Sequence, residues 1–367
     1  MNDAVEFCLY CNGEISVRFL KNKVGEKCYN KSDTIRIFGI KTERRNSDMK
    51  KELFGIVDGN EVYRYLLTGD GVDVAVIDYG AAVQSISVDG IEVVQSFSRA
   101  EDYKTRPGYV CGAIGRVSNR IANAEFALNG KTFHLSANEG ENQLHGGIEG
   151  FNHKFFKAEE IENGVKMTYL SEDGEEGYPG NLLFTVKFTL VGRTFNIEYA
   201  AVSDKDTLFA PTHHFYFNLN GQVGGANSNK LAIYADGYVP VDKNLIPTGD
   251  VLPVDGTPFD FRTIKSVNRD KTDMGIFDHC FILNGNHVAT IIGDKSGIKA
   301  EIYTDMPAVQ LYSGAGGDEK REEPDPTNRG GVALEPQFVP NAVNMQGFEK
   351  PILRAGEKKE HFIRLDF

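Results

Sequence analysis

From about residue 50 to the C-terminus the chain repeats one local unit, a short run rich in Val, Ile, Phe and Tyr closed by Gly or Asp. EVYRYLLTG, VDVAVIDYG and VQSISV open the series. LLFTVKFTLV and RTFNIEYAAV continue it, and GIKAEIYTD, AVQLYSG and GVALEPQF end it. Runs of this kind, bounded by turn residues, predict β-strands. Asp89-Gly90 separates VQSISV from IEVVQSF, Asn129-Gly130 separates AEFAL from KTFHL, and Asn284-Gly285 lies between FIL and HVATII. Such pairs supply the positive φ angles of a tight hairpin, so each predicts one. Gly192 predicts another between LLFTVKFTLV and RTFNIEYAAV. No stretch carries the apolar spacing of a convincing amphipathic helix. The pattern predicts an all-β fold, a large antiparallel sandwich with few short helices.

No Pro/Ser-rich linker or fixed repeat divides residues 49–367, so they are expected to form a single domain. The charged stretch 317–331 (GDEKREEPDPTNRGG) is expected to be a solvated loop. Residues 1–48 differ. They hold Cys8, Cys11 and Cys28 of the five cysteines, no histidine, and a net charge of +2 against −12 for the whole chain. Cys8 and Cys11 form a lone C-x-x-C without the second pair that zinc sites use. The segment is expected to be a poorly ordered extension or a misassigned start. The odd cysteine count is no disulfide framework and fits a cytoplasmic protein with free thiols. The acidic balance argues against nucleic acid or an anionic membrane as partner. No apolar run is long enough to span a bilayer as a helix.

Four stretches carry candidate chemistry. In PTHHFYFNL, strand alternation puts His214, Tyr216 and Asn218 on one face and His213, Phe215 and Phe217 on the other. The second set is mostly apolar and belongs to the core, so His214 is the better catalytic candidate; the plainer alternative is a histidine satisfying a backbone carbonyl. In GGVALEPQF, Val332 and Leu334 share one face and Ala333 and Glu335 the other. Partial burial there would raise the Glu335 pKa toward the range of a general base; the alternative is a rim carboxylate. Asp278 in GIFDHCFIL begins a strand, suited to two sugar hydroxyls or to capping a turn, with His279 on the opposite face. In NQLHGG, Gly146-Gly147 allows a sharp turn beside His145. GRVSNRIANAEF adds Asn119 and Arg120, the latter able to bind a hydroxyl, steady a carboxylate, or form a surface ion pair.

Taken in order, GRVSNRIANAEFALNG, NQLHGG, GFNHKFF, EEGYPGNL, YFNLNG, FDHCFIL, YTDMPAVQLYSG and GVALEPQF resemble the aldose 1-epimerase (galactose mutarotase) family from about residue 53 onward. The resemblance implies a galactose mutarotase-like supersandwich that interconverts the α and β anomers of free aldohexoses such as galactose and glucose. It implies His214 as proton donor, Glu335 as proton acceptor and His145 assisting at the ring oxygen. It places Asn119, Arg120, Asp278 and Gln310 on sugar hydroxyls, with Tyr216 beside the acid. No cofactor and no metal is implied; the partner is a small free sugar, and the chain is expected to be a monomer or homodimer. Three positions depart from the family pattern: His213 where Asn is usual, Phe215 where a small residue is usual, and Asn341 where Asp commonly follows the proline. These put sugar preference and rim packing in question more than the reaction.

The chemistry suits these groups. A cyclic hemiacetal opens when its C1 hydroxyl loses a proton and its ring oxygen gains one. A carboxylate and an imidazolium supply both, each typically worth about 10²–10⁴-fold. Three rivals remain at this level. An epimerase of hexose 6-phosphates would need a basic pocket beyond Arg116 and Arg120. A non-catalytic sugar-binding protein would need neither acid nor base. A glycoside hydrolase could use Asp278 and Glu335 but leaves the histidines without a role.

Overall fold

The computed structural model describes residues 4–11, 14–20, 49–221, 226–267, 276–314 and 331–367. The chain divides into two compact units, 1–48 and 49–367. In the first, Ala4–Cys11 and Glu14–Leu20 form an antiparallel hairpin with an irregularity between Cys8 and Cys11. The rest of the expected poorly ordered extension lies outside the described residues, as does the expected loop at 317–331 except for Gly331.

The second unit holds three main antiparallel sheets. Lys50–Val57, Asn60–Thr68, Val72–Ile77, Val83–Val88 and Ile91–Glu92 make a five-stranded meander. A nine-stranded sheet is built around Leu182–Val191, Thr194–Ser203 and Lys358–Asp366. A six-stranded sheet runs in the order Tyr216–Phe217, Val332–Gln337, Ala308–Tyr312, Asp278–Ile282, Gly237–Val239, Leu252–Pro253. The only α-helix among the described residues is one turn, Asp102–Thr105.

Period-two burial explains why the strands form. Leu182, Phe184, Val186, Phe188 and Leu190 are buried, while the residues between them are only half-buried. They share one continuous core with Phe217, Phe281, Val309, Leu311, Val332 and Leu334 of the six-stranded sheet. Burying each such side chain is worth about 1.5–3 kcal/mol.

Three of the expected hairpins are present. Asp89 and Gly90 have φ of 50° and 82°, and Asn129 and Gly130 have 53° and 74°. Gly192, at φ 60°, turns between the two longest strands. The fourth is not. Asn284-Gly285 joins Asp278–Ile282 of the six-stranded sheet to His287–Ile292 of the nine-stranded one, so the chain crosses between sheets there. Neither residue has a positive φ. The backbone N–H of Asn284 instead donates to Tyr234 O, and its side chain donates to Asp236.

Candidate active site

The inner face of the six-stranded sheet is apolar and meets the core; its other face carries chemistry. Directly opposed residues of antiparallel strands share a face. Gln310 opposes Glu335, Gln310 also opposes Cys280, and Ala333 opposes both Tyr216 and Tyr312. Glu335, Gln310, Tyr216 and Asp278 therefore share one side, with Val332, Leu334, Leu311 and His279 on the other. The alternation expected at Glu335 holds, and the residue is 2% exposed rather than at a rim.

The stretch around His214 is not one strand. Thr212–His213 pairs with Ala113–Ile114, then Tyr216–Phe217 pairs with Val332–Ala333. His214 sits at the switch, its N–H donating to Gly112 O and its carbonyl accepting from Cys111 N–H. His214 and Tyr216 still come together, their rings near-parallel with centroids 4.8 Å apart. Asn218 does not join them; its Oδ1 accepts from Asn220 N–H and Asn229 Nδ2 in the following turn. His213 is a satisfied core histidine: its Nε2–H donates to Ala81 O at 3.0 Å and its Nδ1 accepts from the Tyr199 hydroxyl at 2.6 Å. Phe215 stacks between His213 and Phe217 in the core.

His145 is buried, not solvent-facing. The turn is built by His145, Gly146 and Gly147 at φ of 52°, 90° and 110°. Only glycine fits at 146, because a Cβ there would lie 1.8 Å from Gly115 O. The backbone N–H of Asn119 donates to His145 Nδ1 at 3.1 Å. That fixes the tautomer of the neutral ring, with its proton on Nε2.

His214 Nε2 lies 3.5 Å from Glu335 Oε1, and the His145 and His214 rings are 5.2 Å apart, edge to face. Gln310 Nε2 donates to Asp278 Oδ1 at 2.5 Å. Arg120 Nη1 is 3.7 Å from Asp278 Oδ2, while its fork grips Glu139 through two bonds of 2.6 and 2.9 Å. Glu139 was not foreseen from sequence. Asn119 Oδ1 accepts from the Arg120 N–H. Asn341, the departure after the base strand, accepts from Ala122 N–H through Oδ1 and donates its own N–H to Arg120 O. An aspartate could accept the first of these equally well. Three buried atoms without a hydrogen-bond partner gather here: His214 Nδ1, Gln310 Oε1 and Glu335 Oε2.

Burial dominates the electrostatics. It lowers His214 to about 4. It lowers His145 as well, helped by His214 and Arg120. It raises Glu335 well above the usual carboxylate range, with Asp278 adding and Arg120 opposing. Burial also raises Asp278, against Arg120 and Gln310. The donor atoms of His145, His214 and Glu335 all lie within 4.8 Å of one another, a spacing a cation could also use. With Nδ1 of His145 accepting from the Asn119 N–H, that ring turns an N–H rather than a lone pair toward the cluster.

The aldose 1-epimerase family model matches residues 63–366. Human galactose mutarotase is 37% identical over 318 residues, covering 83% of this chain and 93% of that protein. The aldose 1-epimerase of Escherichia coli is 33% identical over 343 residues, covering 87% and 99%. A galactose 1-epimerase structure from Lactobacillus acidophilus superposes with a TM-score of 0.76 at 27% identity, over 87% of this chain and 98% of that one. A GalM/aldose epimerase homologue from C. elegans gives 0.77 at 25% identity, over 83% and 98%. The chain belongs to the aldose 1-epimerase family.

Proposed function

We propose that this member of the aldose 1-epimerase family interconverts the α and β anomers of free aldohexoses, galactose and glucose among them, by acid–base ring opening at His214 and Glu335. One observation carries the reading: a buried imidazole and a buried carboxyl lie 3.5 Å apart beside polar atoms that no protein group satisfies. The two oxygens that exchange protons in a hemiacetal sit on one carbon, so the groups serving them must themselves be neighbours.

Glu335 takes the proton of the C1 hydroxyl as the bond from C1 to the ring oxygen breaks. His214 gives its proton to that oxygen, and the open aldehyde forms. Rotation about C1–C2 presents the other carbonyl face, and the two groups reverse roles to close the ring. The pair carries one proton in total and titrates as a unit. Burial favours the form with neutral His214 and protonated Glu335, which is the state left after ring opening. His145, donating from Nε2, assists at the ring oxygen. Asp278, Gln310, Asn119 and Arg120 hold the sugar hydroxyls.

Polarimetry of freshly dissolved α-galactose and α-glucose tests this. Purified protein should speed the decay of rotation far beyond the buffer rate. Sugar binding without any such acceleration would mean a sugar receptor instead.

A further inference from the structure

We propose that Tyr109, a residue outside every candidate motif, is a positioning residue that holds both active-site imidazoles with its ring. This inference rests on the acid–base reading above.

Tyr109 adopts φ 53°, between Gly108 at 109° and Cys111 at 51°. A bulky side chain in the left-handed region is uncommon and strained, kept only where surrounding structure enforces it. Here the enforcement comes from the site itself. Cys111 N–H donates to His214 O at 2.9 Å, His214 N–H to Gly112 O at 3.2 Å, and Gly112 N–H to Tyr109 O at 3.1 Å. The Tyr216 hydroxyl donates to Gly108 O at 2.9 Å.

The ring so placed is half-buried and touches both histidines. Its centroid is 4.6 Å from that of His145 and 6.1 Å from that of His214, in the second case within 20° of parallel. Its hydroxyl accepts from Asn138 Nδ2 at 3.4 Å. Asn138 in turn donates to Leu144 O and Gly147 O and accepts from Leu144 N–H, which ties down the loop carrying His145. Tyr109 thus links the two segments that present the imidazoles.

The ring also acts electrostatically. His214 is faced by Glu335, His145, Tyr216 and Tyr109, with Asp278 and Arg120 beyond Glu335 and Tyr312 beyond Tyr216. An aromatic face favours a cation over a neutral group. Tyr109 therefore stabilises the imidazolium form of His214, which burial disfavours and the reaction requires.

The test compares wild type, Tyr109→Phe and Tyr109→Leu by polarimetry across pH. Phe keeps the ring and should stay within about twofold of wild type in kcat, since the 3.4 Å hydrogen bond it loses is weak. Leu should lower the acid-side pKa of kcat by about half a unit and lower plateau kcat by a similar factor, about threefold, from the lost ring–cation contact. The two changes match because both measure how readily His214 takes the proton. The alkaline limb should stay in place, and KM should hold. If Leu fails to fold by circular dichroism, Tyr109→Met carries the same expectation. An unshifted acid limb, or a Phe variant as impaired as Leu, overturns the proposal. Wild type without anomer interconversion would instead overturn the acid–base reading on which it rests.

Discussion

At Glu335 burial favours the protonated carboxyl, and an imidazole nitrogen lies 3.5 Å from it, the contact on which the proposed acid–base step depends. Glu335→Gln keeps shape and removes the base. It should cut kcat by about 10²–10⁴-fold. Its melting temperature should not fall, since an amide stays neutral in the folded and the unfolded chain, whereas burial must hold the Glu335 carboxyl protonated at a pH where the unfolded chain ionises it. Near wild-type polarimetric rates would take Glu335 out of the mechanism. His213 supports a different prediction. Burial lowers its pKa to about 4, so the unfolded chain binds its proton more readily than the folded one between about pH 6.5 and 4. Its contribution is present above pH 6.5 and is lost as pH falls through that window, about 2 kcal/mol by pH 5. His213→Asn removes this dependence, so its thermal midpoint should drop less between pH 7 and pH 5 than that of wild type. Equal slopes would show that other groups set the acid limit. Glu335, His214, Asp278 and Gln310 were legible as residues because their motifs occur in order. Tyr109 and Glu139 were not. Their importance lies in a left-handed φ and in a guanidinium grip across nineteen residues of sequence, neither of which has a local signature.

At the scale of the element, local twist is legible and partnership is not. Asp89-Gly90 and Asn129-Gly130 turned as read, because a type I′ turn is specified by its own two residues. Asn284-Gly285 has the same lettering but joins two sheets, and which sheet a strand enters depends on distant packing. Across PTHHFYFNL the chain changes partners at His214, yet His214 still meets Tyr216 and His213 still packs with Phe215 and Phe217 as read; the alternation fails only at Asn218, whose side chain is bound by Asn220 and Asn229. The turn at His145 gives the sharpest test of an element. Gly146→Ala combines φ 90° with a clash at Gly115 O. It should cost well over about 1 kcal/mol and depress kcat with it, because His145 must move. Gly130→Ala shares the positive φ at 74° but meets nothing within 4 Å. It should cost about 1 kcal/mol and leave kcat unchanged. Thermal melts and polarimetry of both variants check this; equal loss of activity in the two would mean the His145 turn has no special bearing on catalysis.

For the molecule as a whole, charge is the ground on which the proposed neutral sugar and a sugar phosphate part. The chain carries −12 overall, and the site sets Asp278 and Glu139 against one guanidinium, the one-proton His214–Glu335 pair being neutral in sum. Arg120 is already held by Glu139 through two bonds and faces Asp278 at 3.7 Å. Redirecting it to a phosphate would break a bidentate pair whose Arg120 side chain is almost fully buried, and would leave Glu139 without its cation. A neutral hexose asks for no such exchange, since its hydroxyls can accept and donate within the existing network. Turnover of glucose 6-phosphate should therefore fall below that of glucose by about a hundredfold, or roughly 3 kcal/mol, in kcat/KM at low salt. Added NaCl should narrow the gap by screening the repulsion, whereas the rate with glucose should stay flat, because an uncharged substrate is not steered by the field. Equal rates on the two sugars, or a glucose rate that falls steeply with salt, would mean that Arg120 is available to an anion after all and that the acidic surroundings do not select the substrate.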